Sequence, residues 1–189
     1  MKSYLLPGLF LGLVFCINLN AEISIDGVLD EEEWQTAKKI NTFYEVFPYS
    51  LKEVSDFKTD ILILENSKGI YLGFKNYQSN ESMRSQNHER DDEMSLADKN
   101  GVSIDFDADG LMAYQFFVSS GGSIGDATYT NETEKSNDWD GDWISATTIG
   151  ENVWFTEFFI PWSIAPMKKQ KGDKREVKIG FYRMLAGYS

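Results

Sequence analysis

At 189 residues the chain has the length of a single domain. Its formal charge of −12 argues against nucleic acid and anionic membrane as partners, and suits neutral glycans or divalent cations, although acidity alone also keeps an exported domain soluble. One cysteine and one histidine argue against a disulfide framework and a zinc site.

In chain order, Lys2 precedes an apolar run from Leu5 to Leu19, and Leu19-Asn20-Ala21 ends it on a small residue. This is the pattern of a secretory signal peptide over residues 1–21, with cleavage after Ala21 and a mature domain over 22–189. The run is too short for a comfortable membrane-spanning helix. Cys16 stands where a bacterial lipoprotein carries its lipid, but Phe15 is bulkier than the small residue expected before it, so soluble export is the preferred reading. The mature domain is then free of thiols and depends on core packing in an oxidising compartment: periplasmic, outer-membrane-associated or secreted.

Ile23 and Ile25 alternate with polar residues, and Asp26-Gly27 can turn the chain. Asp30 and Glu33 have capping-box spacing, which predicts a short helix from Asp30. Glu31, Glu32 and Glu33 would lie in its first turn, Lys38 and Lys39 in its last, with Trp34 and Ala37 facing inward. Beyond it the dominant pattern is strands. Asp60–Glu65 and Gly69–Phe74 flank Asn66-Ser67-Lys68 as a hairpin. A second hairpin runs through Val102, Ile104 and Phe106, turns at Asp107–Gly110, and returns through Met112, Tyr114, Phe116 and Val118 toward Gly121-Gly122. Strands follow at 144–149 and 153–159 around Gly150-Glu151-Asn152, and a short turn from Ser163.

Two polar segments interrupt this pattern. Residues 79–100 form a long connection holding Arg90-Asp91-Asp92 and His88, and such loops are functional or disordered. Residues 130–142 lead into Asn137-Asp138-Trp139-Asp140-Gly141-Asp142-Trp143. Tryptophans among Asn, Asp and Gly offer what a sugar site needs, an aromatic face for the C–H face of a pyranose and fixed partners for its hydroxyls. Trp139 and Trp143 read as ligand contacts or as a lid over a sheet edge. Asn137 and Arg90 are their candidate polar helpers, Arg90-Asp91-Asp92 otherwise ordering the loop as an ion pair. Trp154 and Trp162 read as core.

The order Ile25-Asp26-Gly27 with Glu33-Trp34, Arg90-Asp91-Asp92, Val102-x-Ile104-Asp105-Phe106-Asp107, Tyr114-x-Phe116-x-Val118, Trp139-Asp140-x-x-Trp143, Trp154-x-x-Glu157 and Ile160-Pro161-Trp162 resembles a family-9-type carbohydrate-binding domain. More closely it resembles the version at the N-terminus of exported bacterial outer-membrane β-barrel proteins. The likeness spans the whole mature chain. It implies an all-β antiparallel sandwich with one short N-terminal helix, sugar binding by stacked tryptophans, structural calcium, and a neighbouring glycoside hydrolase or barrel. The chain stops where barrel-bearing relatives would enter their second half, so a free-standing module and a truncated protein are both expected forms.

Asp105–Gly110 imitates the start of an EF-hand loop, but Phe116 occupies the position of the bidentate glutamate, and strands flank it. Asp138, Asp140 and Asp142 are the remaining calcium candidates, as oxygen ligands at alternating positions. A catalytic triad would have to draw on His88, and no G-x-S-x-G elbow is present. The acids are too many for any one pair to indicate glycosidase chemistry. The expected function is a non-catalytic glycan-binding module serving carbohydrate catabolism with a partner hydrolase. The alternative is an interaction domain docking against an outer-membrane barrel or neighbouring domain.

Overall fold

Period-two alternation of apolar and polar residues produces ten strands among the residues that this computed structural model describes, 23–46, 54–91, 96–131, 133–169 and 174–186. The expected signal peptide and Asp92 lie outside them. One sheet has the order β1 (Lys38–Ile40), β2 (Thr59–Glu65), β3 (Gly69–Tyr77), β9 (Val153–Pro161), β8 (Ile144–Gly150). The other runs β10 (Lys178–Met184), β4 (Lys99–Asp105), β5 (Met112–Ser119), β6 (Ile124–Thr130), β7 (Glu134–Ser136). Every pairing is antiparallel. Ile61, Leu72, Phe74, Phe158 and Ile160 from the first sheet meet Val102, Ile104, Phe116 and Val118 from the second to form the core. This is the expected antiparallel β-sandwich.

Both predicted hairpins form, each fixed by an acceptor side chain at its turn. Asn66 Oδ1 accepts the N–H groups of Lys68 (2.8 Å) and Gly69 (3.2 Å). Asp105 accepts those of Asp107 (3.1 Å) and Gly110 (2.7 Å), so the EF-hand-like run is a tight hairpin turn. Trp154 is fully buried, and Trp162 packs on the core with its indole N–H donated to the Asn66 carbonyl at 2.8 Å.

The predicted N-terminal helix is instead a five-residue 3₁₀ turn, Glu32–Thr36. Its N-cap position is Glu31 instead of the expected Asp30, and it makes no side-chain capping bond. Glu31 accepts the Ser24 N–H (2.9 Å) and the Trp34 indole N–H (3.0 Å), which draws Trp34 down onto the outer face of the first sheet beside Tyr71. Ala37 is already extended, and Lys38 and Lys39 pair with Ile63 and Leu62 in β1. Burial of the indole and strand pairing thus override local helix signals.

At one end of the sandwich the interior is polar. Asn76 and Asn100 exchange amide hydrogen bonds of 2.8 and 3.0 Å, and the Thr156 hydroxyl donates to Asn100 at 3.1 Å. Arg183 of β10 closes this end, donating to Gln78 Oε1 at 2.6 Å with its guanidinium between the Phe57 and Trp154 rings. Every one of these polar groups would be costly if left without its partner.

Candidate functional site

The segment 137–143 that carries the sequence-predicted residues is a loop between β7 and β8, and its shape is set by one carboxylate on β6. Asp126 is 2% exposed. Its Oδ2 accepts the Gly141 N–H (2.9 Å), the Trp143 indole N–H (2.8 Å) and the Arg90 Nη2–H (2.6 Å). The loop and the 86–91 segment are therefore tied to the same atom.

This anchoring settles where the two tryptophans go. Trp143 is pulled inward to 7% exposure, stacks on Phe158 at 5.7 Å and 11°, and meets Phe116 edge-on at 5.4 Å. Its ring is engaged by the core, so the expectation of a sugar-stacking face at Trp143 is replaced by a core role. Trp139 is only half-buried. It stands edge-on to Tyr114 (4.8 Å) and Phe116 (5.8 Å) and lies against Gly141, where a Cβ would come 2.6 Å from its ring. Asn137 is exposed at the start of the loop.

Arg90 joins three acids. Besides its bond to Asp126, its Nε lies 3.0 Å from Asp140 Oδ1 and 3.9 Å from Asp91 Oδ2, and Nη2 donates to the Gly141 carbonyl at 3.0 Å. Asp91, held at φ 60°, accepts the Asp126 N–H at 2.7 Å. Asp91, Asp126 and Asp140 bring one oxygen each within 4.8 Å of one another. The predicted calcium set is not assembled. Asp140 belongs to this cluster, whereas Asp138 pairs with the Ser136 hydroxyl at 3.1 Å and Asp142 points to solvent. The alternation that suggested the set presupposes a strand, and the segment is a loop.

Arg90 also lines an open cleft of about 380 Å³ with Asn87, His88 and the Gly121–Ile124 turn. The His88 N–H donates to Ser123 Oγ at 2.6 Å. A Cβ on Gly121 would fall 2.6 Å from Asn87 Oδ1 and 2.8 Å from the Gln86 carbonyl, so glycine lets the 86–90 segment lie flush on the β5–β6 turn. Arg90 thus lines a polar cleft and pairs with Asp140, while Trp139 of the same loop packs half-buried on Tyr114 and Phe116, Asn137 is exposed and Trp143 is buried. The hub, Asp126, is absent from the sequence reading. Its signal is an acid at an inward position of the strand Ile124–Thr130, legible only once β6 is recognised as a strand.

Glu157 of the Trp-x-x-Glu motif does not line this cleft. It is fully buried under the N-terminal segment, with Oε2 accepting the N–H groups of Asp26 (2.9 Å) and Gly27 (2.7 Å). Desolvation pushes its carboxyl up to about 7 against the lowering effect of those two amides. Its task is to hold the chain entry.

No protein-family model matches the chain, and no curated protein matches its sequence. Solved structures do match, and the β-sandwich they share with the chain is one found in carbohydrate-binding modules. A family 9 carbohydrate-binding module from Caldicellulosiruptor kristjanssonii, solved with cellotriose, superposes with a TM-score of 0.58 at 11% identity, covering 87% of this chain and 73% of that one. A family 9 module from the same organism, solved with glucose, gives 0.57 at 11% identity, covering 87% and 75%. A candidate carbohydrate-binding protein from Bacteroides uniformis gives 0.61 at 14% identity, covering 80% and 72%. At such identities the likeness is one of fold, and the fold is that of family 9.

Proposed function

We propose that the protein is a non-catalytic carbohydrate-binding module whose glycan sits at Trp139, Arg90, Asn137 and Asp140. The observation that carries this reading is the fold shared with modules solved holding cellotriose and glucose. Trp139 supplies a partly exposed aromatic surface, and the Arg90–Asp140 pair supplies a donor and an acceptor for vicinal hydroxyls. Export through the apolar leader, a periplasmic, outer-membrane-associated or secreted location, and service to a glycoside hydrolase in carbohydrate catabolism belong to the same proposal. Docking to an outer-membrane barrel rests on the sequence resemblance alone.

Calcium in this reading is held by Asp91, Asp126 and Asp140. The buried Asp126 Oδ1, which has no hydrogen-bond partner, fits an oxygen-seeking cation, while Arg90 already supplies part of the positive charge that the cluster needs. Chelation would then lower the melting temperature.

The test is tryptophan fluorescence of the purified protein titrated with mono- and oligosaccharides, with and without calcium. A saturable response to one sugar class, weakened about tenfold in both Trp139→Ala and Arg90→Ala, is expected. Binding unchanged by both substitutions would place the glycan elsewhere.

A further inference from the structure

One edge of the first sheet is open to a further strand. The edge strands of the two sheets are β1, β8, β10 and β7, and all but β8 are guarded against pairing with foreign chain. β1 and β7 are three residues long and carry Lys38, Lys39, Glu134 and Lys135. β10 opens with Lys178 and turns Arg183 inward over Trp154. β8 has none of these devices. It runs for seven residues, Ile144-Ser145-Ala146-Thr147-Thr148-Ile149-Gly150, without charge, proline or bulge.

The pairing with β9 determines which backbone groups face outward. The hairpin turns on Glu151-Asn152, so its closing pair, Gly150 and Val153, exchanges both backbone hydrogen bonds. Alternation along an antiparallel ladder extends that pattern to Thr148, Ala146 and Ile144. The N–H and C=O groups of Ser145, Thr147 and Ile149 therefore point away from β9, and among the described residues none of them meets another backbone group. The entering chain does not take their place. Gly27 lies over the outward face, where its N–H reaches Glu157 of β9 and a Cβ would come 2.8 Å from Thr148 Oγ1. Near the two ends of the edge, Ile144 is 54% and Ile149 45% exposed, which leaves apolar surface for the side chains of an added strand.

Charge says which strand fits. The uncharged edge is bracketed by exposed acids, Asp142 before it and Glu151 after it. A second copy of the chain is a poor occupant, because the two-fold register centred on Thr147 brings Glu151 of one copy next to Asp142 of the other. We propose that the β8 edge binds, by strand addition, an extended segment of a partner protein that is β-branched and uncharged over the length of β8 and carries lysine or arginine at both ends. None of the β8 residues belongs to the glycan site proposed above, so the two readings stand or fall separately.

The test is fluorescence anisotropy of a labelled, capped peptide of alternating valine and threonine, as long as β8 and with one lysine at each end, titrated with the full protein. Saturable binding is expected. It should weaken about tenfold when glutamate replaces both lysines, and about tenfold in Asp142→Asn with Glu151→Gln. The lysine-flanked peptide N-methylated at every residue keeps its side chains and charge but has no donors, and should not bind. Thr147→Pro removes an outward N–H and leaves the β9 ladder intact, so it should cost the peptide about tenfold or more while cellotriose titrates as with the unaltered protein. The proposal fails if the lysine-flanked peptide does not bind, if its N-methylated form binds equally, or if a folded Thr147→Pro protein binds it undiminished; the N-methylated peptide decides whether or not that variant folds. It fails as well if sedimentation shows a dimer that Thr147→Pro dissolves, since a second copy would then own the edge.

Discussion

The two sheets carry aromatic residues on their outward faces, and they use them in opposite ways. On the first sheet, Leu62, Leu64, Tyr71 and Phe159 are covered by the entering chain, whose Ile23, Ile25, Leu29 and Trp34 form a second small core there. Leu29 presses on Gly73, and the Asp26-Gly27 amides are pinned by Glu157. On the second sheet, Phe117, Tyr129 and Tyr182 lie outside both clusters, spaced by glycines and flanked by lysines. The strands record the difference: β3 is buried at almost every position, β5 at alternate ones. An aromatic residue on a strand therefore does not declare its role. What lies across the face decides it, and that is set by chain outside the strands.

The sharpest test of this contrast removes one ring from each face. Trp34→Ala should lose about 3–5 kcal/mol of unfolding free energy in urea denaturation, as expected for a buried indole. Tyr182→Ala should lose about 1 kcal/mol, the scale of a partly exposed site. Equal losses would break the comparison, because both faces would then be core.

The same boundary explains what was legible in the sequence. The hairpins around Asn66–Lys68 and Asp107–Gly110 could be read because alternation and turn chemistry are local. β6 and β10 could not be read so easily. β6 carries Asp126 at an inward position, where an apolar residue is expected, and β10 follows a stretch of sequence rich in Lys and Gly without alternation. Trp143 looked like a ligand residue because its sequence neighbours are polar. Its burial depends on a carboxylate 17 positions earlier in the chain, a distance over which no local pattern speaks. The Asp30 helix failed for the same reason, since Trp34 answers to the sheet beneath it. Arg90, Trp139 and Trp143 were legible as residue types, but the gathering of Arg90 and Trp143 around Asp126 was not.

Next in size is the pH response of the covered face. Glu157 has a folded-state value of about 7 against an ordinary 4.5, burial being the chief cause. The folded protein thus binds this proton more tightly than the unfolded chain does. Its contribution is fully present below about pH 4.5 and is lost as pH rises through about 7, a change of a few kcal/mol. Denaturation midpoints should fall between pH 5 and 8, and Glu157→Gln should flatten that slope. A slope unaltered in the variant would mean that another group controls the entry segment.

A smaller effect is expected where the entering chain turns. Gly27 has φ +87°, and a Cβ there would sit 2.7 Å from the Thr147 carbonyl carbon. Gly27→Ala combines backbone strain with a backbone clash and should cost about 1–3 kcal/mol. Gly122, at φ +90°, would place its Cβ no closer than 3.4 Å to the Thr147 hydroxyl, so Gly122→Ala isolates the strain alone and should cost less. Reversal of that order would mean that the entry segment is not seated against β8 as described.

The smallest effect belongs to the open face. Lys99 of β4 and Lys135 of β7, on either side of Phe117, hold their ammonium groups 5.5 and 5.8 Å from its ring, and cation–π contacts at such partly exposed sites are worth about 0.5–1 kcal/mol each. Replacing both with glutamine keeps most of each stem over the ring and removes the charge, so stability should change by about 1 kcal/mol or less. The two lysines are also close enough to one ring to repel each other, and relief of that repulsion offsets part of the loss. A near-neutral double variant that remains folded would show that the two ammonium groups are not needed for the fold. A loss on the Trp34 scale would show instead that the lysine stems and Phe117 act as a third core.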